Sequence, residues 1–214
     1  MALISSAQED SVFINCPFTD DYKELFHCII FCVLACGFRP RSALETGDAG
    51  DVRLDKIVRL IKESCYSIHD LSAIELDSVN DLPRFNMPFE LGLVIGCKKL
   101  AGAKYASRPI LVMEKSAYTS QKCLSDIAGQ DLKAHQGSTT QVISIVRSWL
   151  SQQSKRKGIP GHVRIQNAFD QFSNELPDLC QVAGLEYDEI SYPDFVYLAQ
   201  QWLIEQNAAS AVFI

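Results

Sequence analysis

Glu90 is the carboxylate whose setting most suggests chemistry. It stands in Phe85-Asn86-Met87-Pro88-Phe89-Glu90-Leu91-Gly92-Leu93. Asn86 is a suitable N-cap, Pro88 fits only a first turn, and Leu91, Val94 and Ile95 continue an apolar helical face. The spacing predicts a helix with Glu90 near its positive end, which favours the ionised carboxylate. Such a group suits a nucleophile or a stabiliser of positive charge better than a general acid. The competing role is plain complementation of the helix dipole. A second carboxylate, Asp70, closes the β-rich run Cys65-Tyr-Ser-Ile-His-Asp-Leu71 and is followed by Ser72. An Asp at a strand end also serves turns and caps.

Elements that alternate along the chain must position these groups. Ser11–Cys16 reads as a first strand closed by Pro17, and Asp20 or Asp21 starts a helix running to about Cys36. Gly37 stops that helix, and 38–44 reads as a second strand. The loop 46–51 caps a helix over 52–64. The third strand ends at Asp70, and the Glu90 helix follows a loop rich in Asp, Asn and Pro. Residues 108–114, nearly all apolar, form a fourth strand expected to be central. The alternation predicts an α/β fold, a parallel sheet flanked by helices in a flavodoxin- or Rossmann-like three-layer arrangement. Ligands of such sheets sit beyond the carboxyl ends of the strands, where strand order reverses. Asn15, Tyr22, Arg41, Asp70, Ser72, Asn86 and Glu90 are all expected at that mouth.

A helix from Ser138 to about Gln153 completes the first unit, 1–153. A basic Gly/Pro linker, 154–160, leads to a small helical appendage, 161–214. Its two helices are too small for a domain of their own and are expected to dock on the first unit or on a partner.

Composition narrows the classes. The chain has 214 residues, 47% of them hydrophobic, and a net charge of −6, which argues against a dedicated nucleic-acid binder or an anionic-membrane binder. It contains no apolar run long enough for a bilayer and no signal-peptide pattern, so a soluble, cytoplasmic protein is expected. The eight cysteines include no Cys-x-x-Cys pair. Cys28, Cys32 and Cys36 fall on one helical face, and buried free thiols in a reducing compartment are expected, with no metal. A P-loop, a Rossmann glycine fingerprint and a Gly-x-Ser-x-Gly elbow are all missing, which disfavours kinases, ordinary dehydrogenases and hydrolases of that class.

Three segments together resemble the nucleoside 2-deoxyribosyltransferase-like superfamily, which is related to the TIR-type NAD-cleaving domains. They are Val12-Phe-Ile-Asn-Cys-Pro-Phe18 with Asp21-Tyr22, then Ser67-Ile-His-Asp70-Leu-Ser72, then Asn86-Met-Pro-Phe-Glu90-Leu-Gly92. Leu124–Asp131 with Ala134-His135 is similar to a bacterial subgroup that includes nucleotide-binding proteins and anti-phage defence effectors. The likeness covers roughly 11–150. The 98–107 stretch and the helical tail depart from the compact transferase pattern.

The resemblance implies N-glycosidic cleavage, with Glu90 catalytic and no tightly held cofactor, NAD entering as a substrate. A carboxylate beneath the anomeric carbon stabilises or traps an oxocarbenium-like transition state. Asp70 would orient it, hold a sugar hydroxyl or assist the leaving base, and Asn86 would hold the sugar. Phe18 and Phe89 are candidates for base stacking, although Phe89 fits the core better. Tyr22, with the proline-containing substrate loop, and Ser72, the hydroxyl residue after Asp70, are further candidates for substrate binding, and Arg41 and Arg53 are candidates for phosphate contacts. His69 reads as a packed histidine, while His135 lies in a loop within reach of the site. The alternatives are a non-catalytic nucleotide sensor that signals through a partner, and a transferase exchanging bases. A homo-oligomer or a partner protein bound through the C-terminal helices is expected.

Overall fold

The computed structural model describes residues 9–74 and 84–211. Five parallel strands form the sheet: β1 (Ser11–Asn15), β2 (Arg39–Arg41), β3 (Tyr66–Asp70), β4 (Ile110–Glu114) and β5 (Lys133–Ala134), in the order β2-β1-β3-β4-β5. The helices are α1 (Lys23–Ala35), α2 (Arg53–Glu63), α3 (Asn86–Leu100), the short α4 (Ala103–Ala106), α5 (Thr139–Gln153), α6 (His162–Ala183) and α7 (Tyr192–Ala211). The expected parallel α/β architecture is therefore present. The second strand is shorter than its sequence pattern, because Pro40 and the edge position leave it only three paired residues. β3, rather than β4, occupies the centre, and the two-residue β5 makes β4 an inner strand.

Side chains alternate across the sheet and divide the core. Val12, Ile14, Ile68 and Met113 face α1 and α5, whereas Phe13 packs with Ile57, Leu60, Ile61 and Val94 of α2 and α3. The same alternation sends Asp70 to the α1 side with Ile68, and His69 to the α3 side with Phe13. The His69 ring meets the Phe13 ring edge-on at 6.0 Å.

From Cys28 to Val33 α1 is apolar on every side because that stretch is covered on every side, whereas Lys23 and the exposed Glu24 give its first turn a polar side. Cys28, Ile29, Ile30, Phe31, Cys32 and Val33 are all buried. Cys28 and Cys32 donate their thiols to the Thr139 and Ile143 carbonyls of α5. On the opposite flank Phe31 stacks on Phe172 of α6 at 5.2 Å and touches Trp202 of α7 at 5.9 Å. The C-terminal helices thus add an outer layer that shares one continuous core with α1. All eight cysteines are free. α1 ends where Gly37 adopts φ +81°, with the Gly37 and Phe38 amides donating back to Leu34 and Val33. A side chain at Gly37 would also strike the Arg156 guanidinium, at 2.7 Å from its Cβ.

Candidate functional site

The chain leaves β1 toward β2 on one side and reaches β3 on the other, so strand order reverses between β1 and β3. The carboxyl ends of these two strands carry Asn15, Cys16, Asp70 and Ser72 to one edge. A cleft of about 680 Å³ opens there, lined by Tyr22, Ser72, Lys115, His135 and Gly137 among others.

Asp70 forms the floor beneath this cleft and is itself wholly buried. Its Oδ1 accepts the Ser72 amide at 2.8 Å and the Ser72 hydroxyl at 2.5 Å. His135 Nε2 stands 2.9 Å from Asp70 Oδ2 and 3.0 Å from Ser72 Oγ. His135 Nδ1 accepts the Gly137 amide at 3.0 Å, which leaves the proton on Nε2. The three side chains therefore do not form a nucleophilic triad: serine and aspartate meet the same nitrogen, and that nitrogen carries the hydrogen. Burial opposes ionisation of Asp70, but the contacts from His135, Ser72 and Tyr22 outweigh it and hold the carboxyl below its ordinary range. The Tyr22 hydroxyl faces the same carboxylate without reaching hydrogen-bond geometry. Burial, then the Asp70 charge, pushes the Tyr22 phenol well up and keeps it a neutral donor.

Glu90 belongs to the other face. It lies a full turn beyond the start of α3 and is only 5% exposed. Asn15 positions that turn: its amide nitrogen donates to the Met87 carbonyl at 3.0 Å and sits 3.0 Å from His69 Nδ1. Burial pushes the Glu90 carboxyl up to about 7, and Arg53, whose Nη2 stands 3.8 Å from Oε1, offsets only part of the rise. The expectation of a dipole-held, fully ionised carboxylate is thus corrected. The dipole acts mainly within the first turn, and desolvation dominates one turn further on. Cys16, at the end of β1, has its thiol raised first by burial and then by both Asp70 and Glu90.

The other candidates divide. Ser72 and His135 join Asp70, and Tyr22 is brought beside them. Asn86 is exposed and occupies the first position of α3, with Phe85 before it in helical backbone and no side-chain cap, so the N-cap expected of Asn86 is not formed. Phe89 is 56% exposed rather than in the core. Phe18 packs edge-on against Phe26 at 5.2 Å, in a separate cavity of about 250 Å³ beside Tyr192. Arg41 is paired with Glu45 at 2.6 Å and with Glu63 at 3.3 Å, on the β2 edge. Arg53 is the arginine that reaches a site carboxylate. His69 is packed as expected, and burial lowers its pKa to about 3.

Sequence reasoning passed over Lys115 and Gly137, which line the cleft from the loops after β4 and β5. Gln136 and Gly137 adopt positive φ; the Gly137-Ser138 pair ahead of α5 is the signal that marks this tight turn. It also missed Glu114, whose buried carboxylate accepts the Tyr118 and Ser120 amides and ties down the loop after β4.

Comparison of the chain with protein-family models, curated proteins and solved structures returns no match. Among the described residues no helix is long and apolar enough to cross a membrane.

Proposed function

We propose that this protein cleaves the N-glycosidic bond of a nucleotide-type substrate, NAD first and nucleosides or deoxynucleosides second, with Glu90 as the reacting carboxylate. The observation that carries this reading is Glu90 itself, a carboxylate 5% exposed at the switch point, with one guanidinium 3.8 Å away. In its ionised form it attacks or stabilises C1′ as the base departs, and water then releases the sugar. Asp70, the expected second carboxylate, is turned to the opposite face and bound up with Ser72 and His135. Glu90 would therefore act without Asp70 as an acid. That favours a leaving group needing no proton, such as the cationic pyridinium ring of NAD, which departs as neutral nicotinamide. Free nucleosides, whose bases leave better when protonated, rank second.

The likeness of Leu124–Asp131 with Ala134-His135 to a bacterial subgroup adds an effector role in anti-phage defence, and a cytoplasmic setting is one in which free thiols are at home. The second reading, a nucleotide-binding sensor without turnover, draws on the locked Asp70–Ser72–His135 network, which serves binding better than proton transfer. Chromatography of NAD and of mixed deoxynucleosides incubated with wild-type and Glu90→Gln protein decides between them. Nicotinamide or free base released by wild type alone is the expected result. Equal traces from both proteins would overturn the enzymatic reading.

A further inference from the structure

α7 is apolar on two faces and covered on one. Phe195, Leu198, Ala199 and Trp202 are buried in the core against α1 and α6. Its second face, with Val196, Tyr197, Gln200, Leu203, Ile204 and Asn207, lines an open groove of about 860 Å³. Leu34, Phe38 and Pro40 form the opposite wall. Tyr197 is 61% exposed, and Ile204, two turns further on, is 55% exposed. The lining positions recur at intervals of three and four residues over about four turns, or about 22 Å. That is the spacing with which one helix packs on another. An exposed apolar stripe rimmed by polar groups marks a docking surface.

The start of α7 adds polar groups that lack an acceptor. Tyr192 lines the groove and is only 8% exposed, and its hydroxyl has no hydrogen-bond partner. Burial first, then the Glu45 charge, keeps this phenol protonated, and Arg41 and Arg39 are the cations that act on it. Glu45 is already engaged, its Oε1 accepting Arg41 Nε at 2.6 Å and the Ser42 amide at 3.2 Å. Arg41 is held by Glu45 and Glu63, and Asp10, on the groove rim, is paired with Arg156 at 2.6 Å. Arg39 lines the groove, is exposed, and has no carboxylate partner among the described residues. The groove therefore carries one uncompensated guanidinium beside one buried, unpaired hydroxyl, and an unmade buried hydrogen bond costs free energy until a ligand completes it.

We propose that this groove docks an amphipathic α-helix of a partner protein, apolar along one face and carrying a carboxylate where it meets Arg39 and Tyr192. Addition of a strand to the β2 edge is the competing mode, and Pro40 blocks it. The Arg39 amide donates to the Asp10 carbonyl on the β1 side, so the next residue, Pro40, is the one turned to the groove, and it has no N–H to offer. A helix keeps its backbone bonds internal and needs from the groove only apolar contact and a matching charge. Aliphatic side chains of the partner fill the stripe between Tyr197 and Ile204. Its carboxylate accepts from the Arg39 guanidinium and the Tyr192 hydroxyl. Neither Glu90 nor the mouth of the sheet takes part, so the docking face stands whether or not the protein turns over a glycosidic bond.

The test is fluorescence anisotropy of a labelled, stapled helical peptide of about 15 residues, titrated with the full chain. The peptide carries leucines at the same intervals of three and four and a glutamate in each end turn, and its twin carries lysines in place of the glutamates. The glutamate peptide is expected to bind saturably, and about fivefold or more tighter than the lysine twin. Arg39→Glu, an exposed change, is expected to invert that preference. Ile204→Asp, also exposed, is expected to weaken both peptides by about tenfold or more. Tyr192→Phe is expected to weaken the glutamate peptide severalfold and to spare its twin. Absence of saturable binding, binding indifferent to Ile204→Asp, or a preference that Arg39→Glu leaves unchanged would overturn the proposal. So would light scattering that finds a dimer which Ile204→Asp dissociates, because a second copy of the chain would then fill the groove.

Discussion

Arg53 Nη2 stands 3.8 Å from Glu90 Oε1, yet the guanidinium is half exposed and the carboxylate is buried. Water screens the cation, while the protein withholds water from the anion. The pair therefore leaves Glu90 near neutrality instead of pinning it in the charged form, with its pKa pushed up to about 7. A carboxylate poised there can take either protonation state near neutral pH.

That elevation has a cost in stability whose sign is fixed. The folded protein holds the Glu90 proton up to about 7, whereas the unfolded chain releases it near the ordinary value of 4.5. Folding stability attributable to this group therefore falls as pH rises from 4.5 to about 7 and is level above. The rise from 4.5 to about 7 corresponds to about 3 kcal/mol. Glu90→Gln, which cannot ionise, is expected to stabilise the protein by up to that amount at about pH 8 and by little near pH 4.5. Urea denaturation at the two pH values measures it. An equal effect at both would show that Glu90 titrates as an ordinary surface carboxylate.

Asp70 shows the opposite behaviour, because its pKa is held down rather than up. Its stabilising contribution is complete above the ordinary carboxylate range and is lost as pH falls through its folded value. Asp70→Ala strands the His135 Nε2–H and the Ser72 hydroxyl, and His135→Ala strands a buried carboxylate. Each is expected to cost about 3 kcal/mol at neutral pH. Because each change ruins the same contact, the double variant is expected to cost clearly less than the sum. Denaturation midpoints of the four proteins give the coupling. Simple additivity would mean that the 2.9 Å contact between His135 and Asp70 contributes no stability.

Strand–helix alternation carries the fold because β1, β3 and β4 bury both faces and the breaks at Pro17 and Gly37 announce themselves. The site was less legible. Asp70 was found as a strand-end acid, but nothing local to it reveals that His135, two strands away in the sheet, fixes its ionisation. Glu90 was found from the helix start, but local sequence shows a dipole and not the burial that outweighs it. Arg41 is legible as a cation expected at the mouth of the sheet, but its partners Glu45 and Glu63 become visible only once β2 and α2 are packed. β5 was missed because two residues carry no periodicity.

The apolar run of Cys28 to Cys36 was legible in another sense, since a helix with no polar face has to be covered on all sides. α6 and α7 provide the outer cover, and Phe172 is the point where they join α1. Its ring is wholly buried, stacked on Phe31 at 5.2 Å and edge-on to Phe195 and Trp202, each at 5.7 Å. Phe172→Ala is expected to cost about 3–5 kcal/mol. Because the core is continuous, the loss should be felt by the whole chain in one transition. Trp149, on α5 against Tyr66 at 6.0 Å, reports on the sheet side once Trp202 is replaced by Phe. In that background, Phe172→Ala should lower the midpoints of Trp149 fluorescence and far-ultraviolet circular dichroism together. If Trp149 fluorescence keeps its midpoint while helical signal melts earlier, α6 and α7 unfold as a unit of their own.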